Sequence, residues 1–382
     1  MDNNKHNIFI IAGELSGDMR AAELLKELSA SVPDISFWGI GGDNMALQGV
    51  ELIEHIRSLS IIGVAEAIKK LPSIRKQYNK CVNEIEKRRP AAAILIDYPG
   101  FNLRMAEYLH KKGIPVIYYI IPQVWAWGQD RVKKLRKFVD KIIVLFEFEK
   151  LFLKKHGISS EFIGHPLVDR FPADIPAEKS PRTLTISLLP GSRVNEINTI
   201  FPVMLEASRI IRDSLDKDVR FILAETSNIG PALYDTILRN YSRLKIQRIK
   251  DNTRDALAQS DFAVITSGTA TLEAALMEKP FILTYKSSLF TSICGYLFIK
   301  IPYLGLVNII AGKTVAPEML QYNATPDKIA AKVLELLKNG PRMEQIKKDL
   351  KKVKKSLGDK GASYRAAQSI SNYIKTQIGP GL

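Results

Sequence analysis

Asp97 ends the apolar run Ala92–Ile96 and stands just before Pro99 and Gly100, in the stretch IDYPGFN. A carboxylate at the carboxyl edge of a buried strand is placed to take a proton from a substrate hydroxyl. The plain alternative is a turn or helix-capping aspartate. Two further strand ends carry residue types suited to an anion. In LPGSR, Gly191 lets the backbone approach a ligand and Arg193 offers a planar fork that matches phosphate oxygens, although Ser192 or Asn195 could simply cap the next helix. In TSGTATLEAAL, Ser267, Gly268 and Thr269 open a helix whose amides and dipole favour a diphosphate. Glu273 lies in that first turn, and Ala270 fills the position where a capping box needs Ser or Thr. Its carboxylate therefore reads as an acceptor for a ribose diol or as a solvated charge near the helix dipole.

Weaker candidates follow. In GELSGD, Glu14, Ser16, Gly17 and Asp18 form a polar loop in which Ser16 or Asp18 reads first as a helix cap. Gln123, Trp125, Trp127 and Arg131 in IPQVWAWGQDR could stack on a sugar or line an acyl groove, while tryptophans at this density also suit a core. His165 reads as structural or hinge-related, and Asp216 and Asp218 read as a solvated turn. Cys81 and Cys294 have no partners at metal or redox spacing, which excludes a disulfide framework and a zinc site and suits a reducing cytoplasm.

These residues need elements to hold them. Short apolar runs at 8–12, 37–40, 92–96, 115–121 and 141–145 alternate with helix-like segments, beginning with a helix over 19–31, as βαβ units around a parallel sheet do. Three prolines within 169–182 mark a boundary, after which the alternation restarts with runs at 184–189, 220–224, 244–249, 262–266 and 280–284. A final helical segment carries Ile346, Leu350, Val353 and Leu357 as one apolar stripe. The expected domains are 1–172 and 183–345, with a helical tail over 346–382. Two such halves would set the motifs along a central cleft.

The 382 residues are 46% hydrophobic and 25% charged, which excludes a disordered or coiled-coil chain. Fifty-five Lys and Arg against 40 Asp and Glu leave a charge of +15, with basic clusters at 131–141 and 347–360. That surplus suits phosphorylated ligands or anionic lipid, and no RNA-reading motif accompanies it. The N-terminal apolar run is too short for a signal peptide. The stretch 289–311 is too interrupted to span a bilayer, though it could lie on one.

GELSGD, GVAEAI, IDYPGFN, QVWAW, GHPLVD, LPGSR, SGTATLE and NIIAG occur in an order that resembles the lipid-A-disaccharide synthases, from residue 8 to about residue 321. The resemblance implies a GT-B fold, with two Rossmann-like domains facing a central cleft and C-terminal helices. It implies an inverting, metal-independent transfer of 2,3-diacylglucosamine from its UDP derivative to the 6-hydroxyl of 2,3-diacylglucosamine 1-phosphate (lipid X). The product would be the β(1→6) disaccharide 1-phosphate of lipopolysaccharide biosynthesis, with UDP released.

By the same resemblance the first domain takes the acceptor and the second the UDP-sugar. Asp97 is the base, Arg193 holds diphosphate, Glu273 holds ribose and Asn308 lies near the nucleotide. Gly100 stands where many members have a second acidic residue, which leaves Asp97 alone in its motif. UDP is part of the donor, and no cofactor is expected. The expected partners are the two lipid substrates and the inner face of the inner membrane, contacted through 61–68, 289–303 and the basic clusters, without nucleic acid. Whether the C-terminal helices pack on their own chain or exchange in a homodimer stays open. Another GT-B transferase or a UDP-sugar epimerase would share the phosphate motifs, and a non-catalytic basic protein would leave them unused.

Overall fold

The computed structural model describes residues 6–58, 64–126, 129–171, 183–286 and 302–378. The chain divides into two units: Met1–Asp169 with Gly358–Leu382, and Arg170–Leu357. In the first unit, β1 (His6–Ala12), β2 (Ile35–Gly41), β3 (Glu51–His55), β4 (Ala92–Ile96), β5 (Val116–Tyr119), β6 (Lys141–Val144) and β7 (Glu161–Phe162) form a seven-stranded parallel sheet of order 3-2-1-4-5-6-7. The central strands are buried on both faces, which is why Ile8–Ile11 and Ala92–Ile96 are unbroken apolar runs rather than alternating ones. Helices connect the successive strands, as parallel pairing requires.

The second unit repeats the design. Strands β8 (Leu184–Leu189), β9 (Val219–Glu225), β10 (Ile246–Lys250), β11 (Phe262–Thr266), β12 (Phe281–Tyr285) and β13 (Glu318–Leu320) pair in parallel in the order 10-9-8-11-12-13. Both sheets are Rossmann-like, as the alternation of runs predicts.

The C-terminal stripe is real, with Ile346, Leu350, Val353 and Leu357 all buried, but the segment 346–382 is shared between units. Helix Gly340–Ser356 belongs to the second. Helix Ala362–Ile378 belongs to the first, where it packs on helix Leu15–Ser31. Arg365 Nε donates to the Ile163 carbonyl at 2.9 Å, and the Gly361 N–H donates to Asp169 Oδ1 at 2.6 Å. None of the described helices is long and apolar enough to cross a membrane.

Candidate active site

In a sheet of this order the connections leaving its first and fourth strands diverge, and ligands bind in the crevice at the strands' carboxyl ends. That point lies between β1 and β4 in the first unit and between β8 and β11 in the second. The loops found there are 13–14, 97–98, 190–193 and 267–269, so sheet topology selects the sequence motifs.

Asp97 and Tyr98 both adopt left-handed backbone, each with φ 47°. Such geometry costs non-glycine residues roughly 1–2 kcal/mol apiece and persists only where the surroundings enforce it. Here they do. The Asp97 N–H donates to the Ile120 carbonyl at 3.1 Å. Its own carbonyl accepts from Asn102 Nδ2 at 2.9 Å and from the Tyr118 hydroxyl at 2.6 Å. Asn102 and Tyr118 are fully buried, and Pro99 starts helix Pro99–Lys111 directly behind the turn. The Asp97 carboxyl is pushed up to about 6, first by burial and then by the charge of Glu14, against a hydrogen bond from the Tyr98 backbone. A base titrating there is closer to working pH than an ordinary aspartate.

Glu14 is the exposed N-terminal cap position of helix Leu15–Ser31, and it faces Asp97 electrostatically from the end of β1. The helix begins four residues before the expected start, so Ser16, Gly17 and Asp18 lie in its first turn rather than in a loop. Ser16 is exposed and Gly17 is buried. Asp18 is not an acceptor contact. It is fully buried, and its carboxylate accepts from Gly42 N (2.6 Å), Asn44 N (3.1 Å), Asn44 Nδ2 (2.8 Å) and Met45 N (3.1 Å), capping helix Asp43–Ala46.

Gly13 carries no local sequence signal for its role. A Cβ there would lie 2.2 Å from the Tyr98 ring, so the glycine seats the β1 loop against the Asp97 turn. Gln123 is exposed and Trp125 half-buried, in the loop after β5, while Trp127 lies outside the described residues. His165 is buried, its ring 5.2 Å from that of Phe146, and its Nδ1 accepts from Leu167 N, a structural setting. Asp218 pairs with Lys245 at 3.1 Å in the surface turn expected for it.

In the second unit Gly191 has φ 109°, and a Cβ there would come within 2.3 Å of Glu196 Oε2. That oxygen accepts from Ser192 N (3.0 Å) and Arg193 N (3.3 Å), while Oε1 meets Arg193 Nη1 at 3.1 Å. The N-cap of helix Val194–Asp213 is thus Arg193, with Glu196 at the third helical position reaching back to its N–H, rather than Ser192 or Asn195. An internal carboxylate already sits where this turn attracts negative charge. Arg193 is 72% exposed and reaches outward.

At the neighbouring strand end Gly268 has φ 155° with open space around it, Gly268 and Thr269 are exposed, and Glu273 is half-buried. The Ser267 N–H is committed to the Thr284 carbonyl at 3.3 Å. Asn308 has internal partners. It is buried, its Nδ2 donates to the Ala316 carbonyl (2.7 Å) and Glu318 Oε1 (2.8 Å), and its Oδ1 accepts from Val315 N (2.8 Å) and Ala316 N (2.9 Å). All four of its hydrogen-bonding positions are used, so its side chain shapes the 313–318 loop.

Known proteins are similar to this chain along nearly its whole length. The family described as lipid-A-disaccharide synthetase matches residues 8–373. A lipid-A-disaccharide synthase of Syntrophus aciditrophicus is 37% identical over 379 residues, covering 97% of this chain and 99% of its own. Lipid-A-disaccharide synthase 1 of Legionella pneumophila is 36% identical over 367 residues, covering 94% and 95%. The chain belongs to the lipid-A-disaccharide synthase family.

Membership makes it a glycosyltransferase. Solved structures share the GT-B fold at low identity: Acinetobacter baumannii MurG has a TM-score of 0.58 at 14% identity, covering 97% of this chain and 99% of its own. S. aureus MnaA, solved with UDP, has 0.62 at 14%, covering 97% of each.

Proposed function

We propose that the chain transfers 2,3-diacylglucosamine from its UDP derivative to the 6-hydroxyl of 2,3-diacylglucosamine 1-phosphate, inverting the donor anomeric carbon and releasing UDP. The observation that carries this reading is the Asp97 turn: a braced, left-handed carboxylate at the switch point of the first sheet, titrating near 6. Asp97 accepts the hydroxyl proton as the oxygen attacks through a loose, cationic transition state. In the second unit Arg193 takes the diphosphate and Glu273 the ribose, with Gly268 and Thr269 turning exposed backbone toward departing UDP. The similarly folded S. aureus MnaA was solved with UDP, so a fold of this kind can take the nucleotide proposed here.

Each substrate carries acyl chains whose exposure to water costs about 0.8 kcal/mol per methylene, so the reaction belongs at a membrane surface. The charge of +15 suits the anionic inner face of the inner membrane. Of the stretches expected to touch lipid, 289–301 and 61–63 lie outside the described residues.

The test is mass spectrometry of product from both substrates in detergent with EDTA. A disaccharide 1-phosphate is expected, and UDP binding without product would overturn the acceptor assignment. Replacing Arg193 with Ala is expected to weaken UDP by about 1.5–3 kcal/mol, the worth of a charged hydrogen bond. Calorimetry with unchanged affinity would remove Arg193 from the site.

A further inference from the structure

Among the described residues, Glu149 is a buried acid that the proposed chemistry does not use. Glu149, only 5% exposed, is the third residue of helix Glu147–Lys155 beyond β6. Its two oxygens do different work. Oε2 accepts from the Phe146 N–H at 3.3 Å, which is the reciprocal bond of a helix cap. Oε1 accepts from the Trp125 indole N–H at 3.2 Å, which no cap requires.

Trp125 is otherwise set by Phe148, met edge-on at 5.1 Å, and Phe148 stacks on Phe146 at 5.4 Å. The Trp125 loop is also stitched to the base. Ile120, at the start of that loop, takes the Asp97 N–H on its carbonyl and donates its own N–H to Ile143 of β6, both at 3.1 Å. One run of contacts therefore links Glu149, the indole and the Asp97 turn across three neighbouring strand ends.

We propose that Glu149 is a positioning residue for the acceptor: by gripping the Trp125 indole N–H it fixes the ring plane against which the acceptor sugar seats beside Asp97. This rests on reading the first unit as the acceptor unit. An indole anchored by its N–H and half-buried keeps its ring in one orientation, so a sugar ring meets a preformed apolar wall. The cost of keeping an acid there is visible. Burial pushes the Glu149 carboxyl up to about 7, and the charge of Asp97 adds to the rise, which places the two acids within electrostatic reach. A helix cap alone would be served by a more exposed side chain at no such cost.

The test compares wild type with Glu149→Gln, Glu149→Leu and Trp125→Phe, using the two diacylglucosamine substrates in detergent micelles, with UDP affinity read by calorimetry. Glu149→Leu is expected to raise the acceptor KM about tenfold, with kcat and UDP affinity near wild type. Glu149→Gln keeps one acceptor oxygen for the two donors and is expected to raise the acceptor KM less than Leu does. Trp125→Phe keeps a ring, loses the anchor and is expected to raise the acceptor KM.

A wild-type acceptor KM in folded Glu149→Leu, or a Gln variant as impaired as Leu, overturns the proposal. If Glu149→Leu does not fold, an unchanged acceptor KM in Trp125→Phe overturns it. A wild-type protein that makes no disaccharide removes the acceptor reading itself and this inference with it, a result separate from a KM that fails to move.

Discussion

Asp97→Asn is expected to lower turnover by roughly 10²–10⁴ while leaving the protein more stable, and the two effects come from one cause. The native structure holds the Asp97 carboxyl near 6, above its ordinary value. The folded chain therefore binds a proton more tightly than the unfolded chain between those two values, and stability falls as pH rises through that window. Asn carries no charge to desolvate beside Glu14, and it tolerates left-handed backbone better than most residues. The gain, at most about 3 kcal/mol, should be present above pH 6 and fade below pH 4.

Wild-type kcat/KM should drop about tenfold per pH unit below 6, as the base becomes protonated. Thermal unfolding and product formation measured across pH 4–8 check both halves. An Asn variant with wild-type turnover would remove the base, and one that is destabilised at pH 7 would contradict the strained, desolvated turn.

Asp18→Ala is expected to do the opposite. Its carboxylate holds three backbone N–H groups and one side-chain amide at the start of helix Asp43–Ala46, and no water reaches it. Removing it strands those donors, at a cost of about 3–5 kcal/mol, or about 10 °C in the unfolding of the first unit. UDP affinity should stay unchanged, because the nucleotide is assigned to the other unit. Differential scanning calorimetry with and without UDP reads both. Lost activity at wild-type stability would return Asp18 to the list of substrate contacts.

The reassignment of Asp18 shows where the sequence stops being readable. Strands buried on both faces announce themselves: 92–96, 184–189 and 262–266 are strands with those same ends. Edge strands do not, and β3 and β7 are short, partly exposed and without an apolar run. The run expected over 115–121 stops at Tyr119 because Ile120 turns left-handed with φ 64°.

Motifs at the strand ends were legible because glycine, arginine and aspartate there have few other uses. The partners of Asp18, Asn308 and Glu149 were not. Asp18 reaches residues 24–27 positions away, and Asn308 spends its amide on a loop with no periodicity to mark it. Only tertiary packing brings such groups together, and no local signal precedes it. Gly13 is similar, since the ring it makes room for is on another strand's loop.

The C-terminal helix Ala362–Ile378 lies on the first unit, with Arg365 and Gly361 bonded to Ile163 and Asp169. A ribosome therefore finishes most of that unit long before it delivers the last piece. Roughly 190 residues separate Asp169 from Gly358, so at about 5–20 residues per second the nascent sheet waits about 10–40 s with one flank of helix Leu15–Ser31 uncovered. During that interval the second unit can complete itself in one continuous stretch. The half of the protein made first is the half that is sealed last.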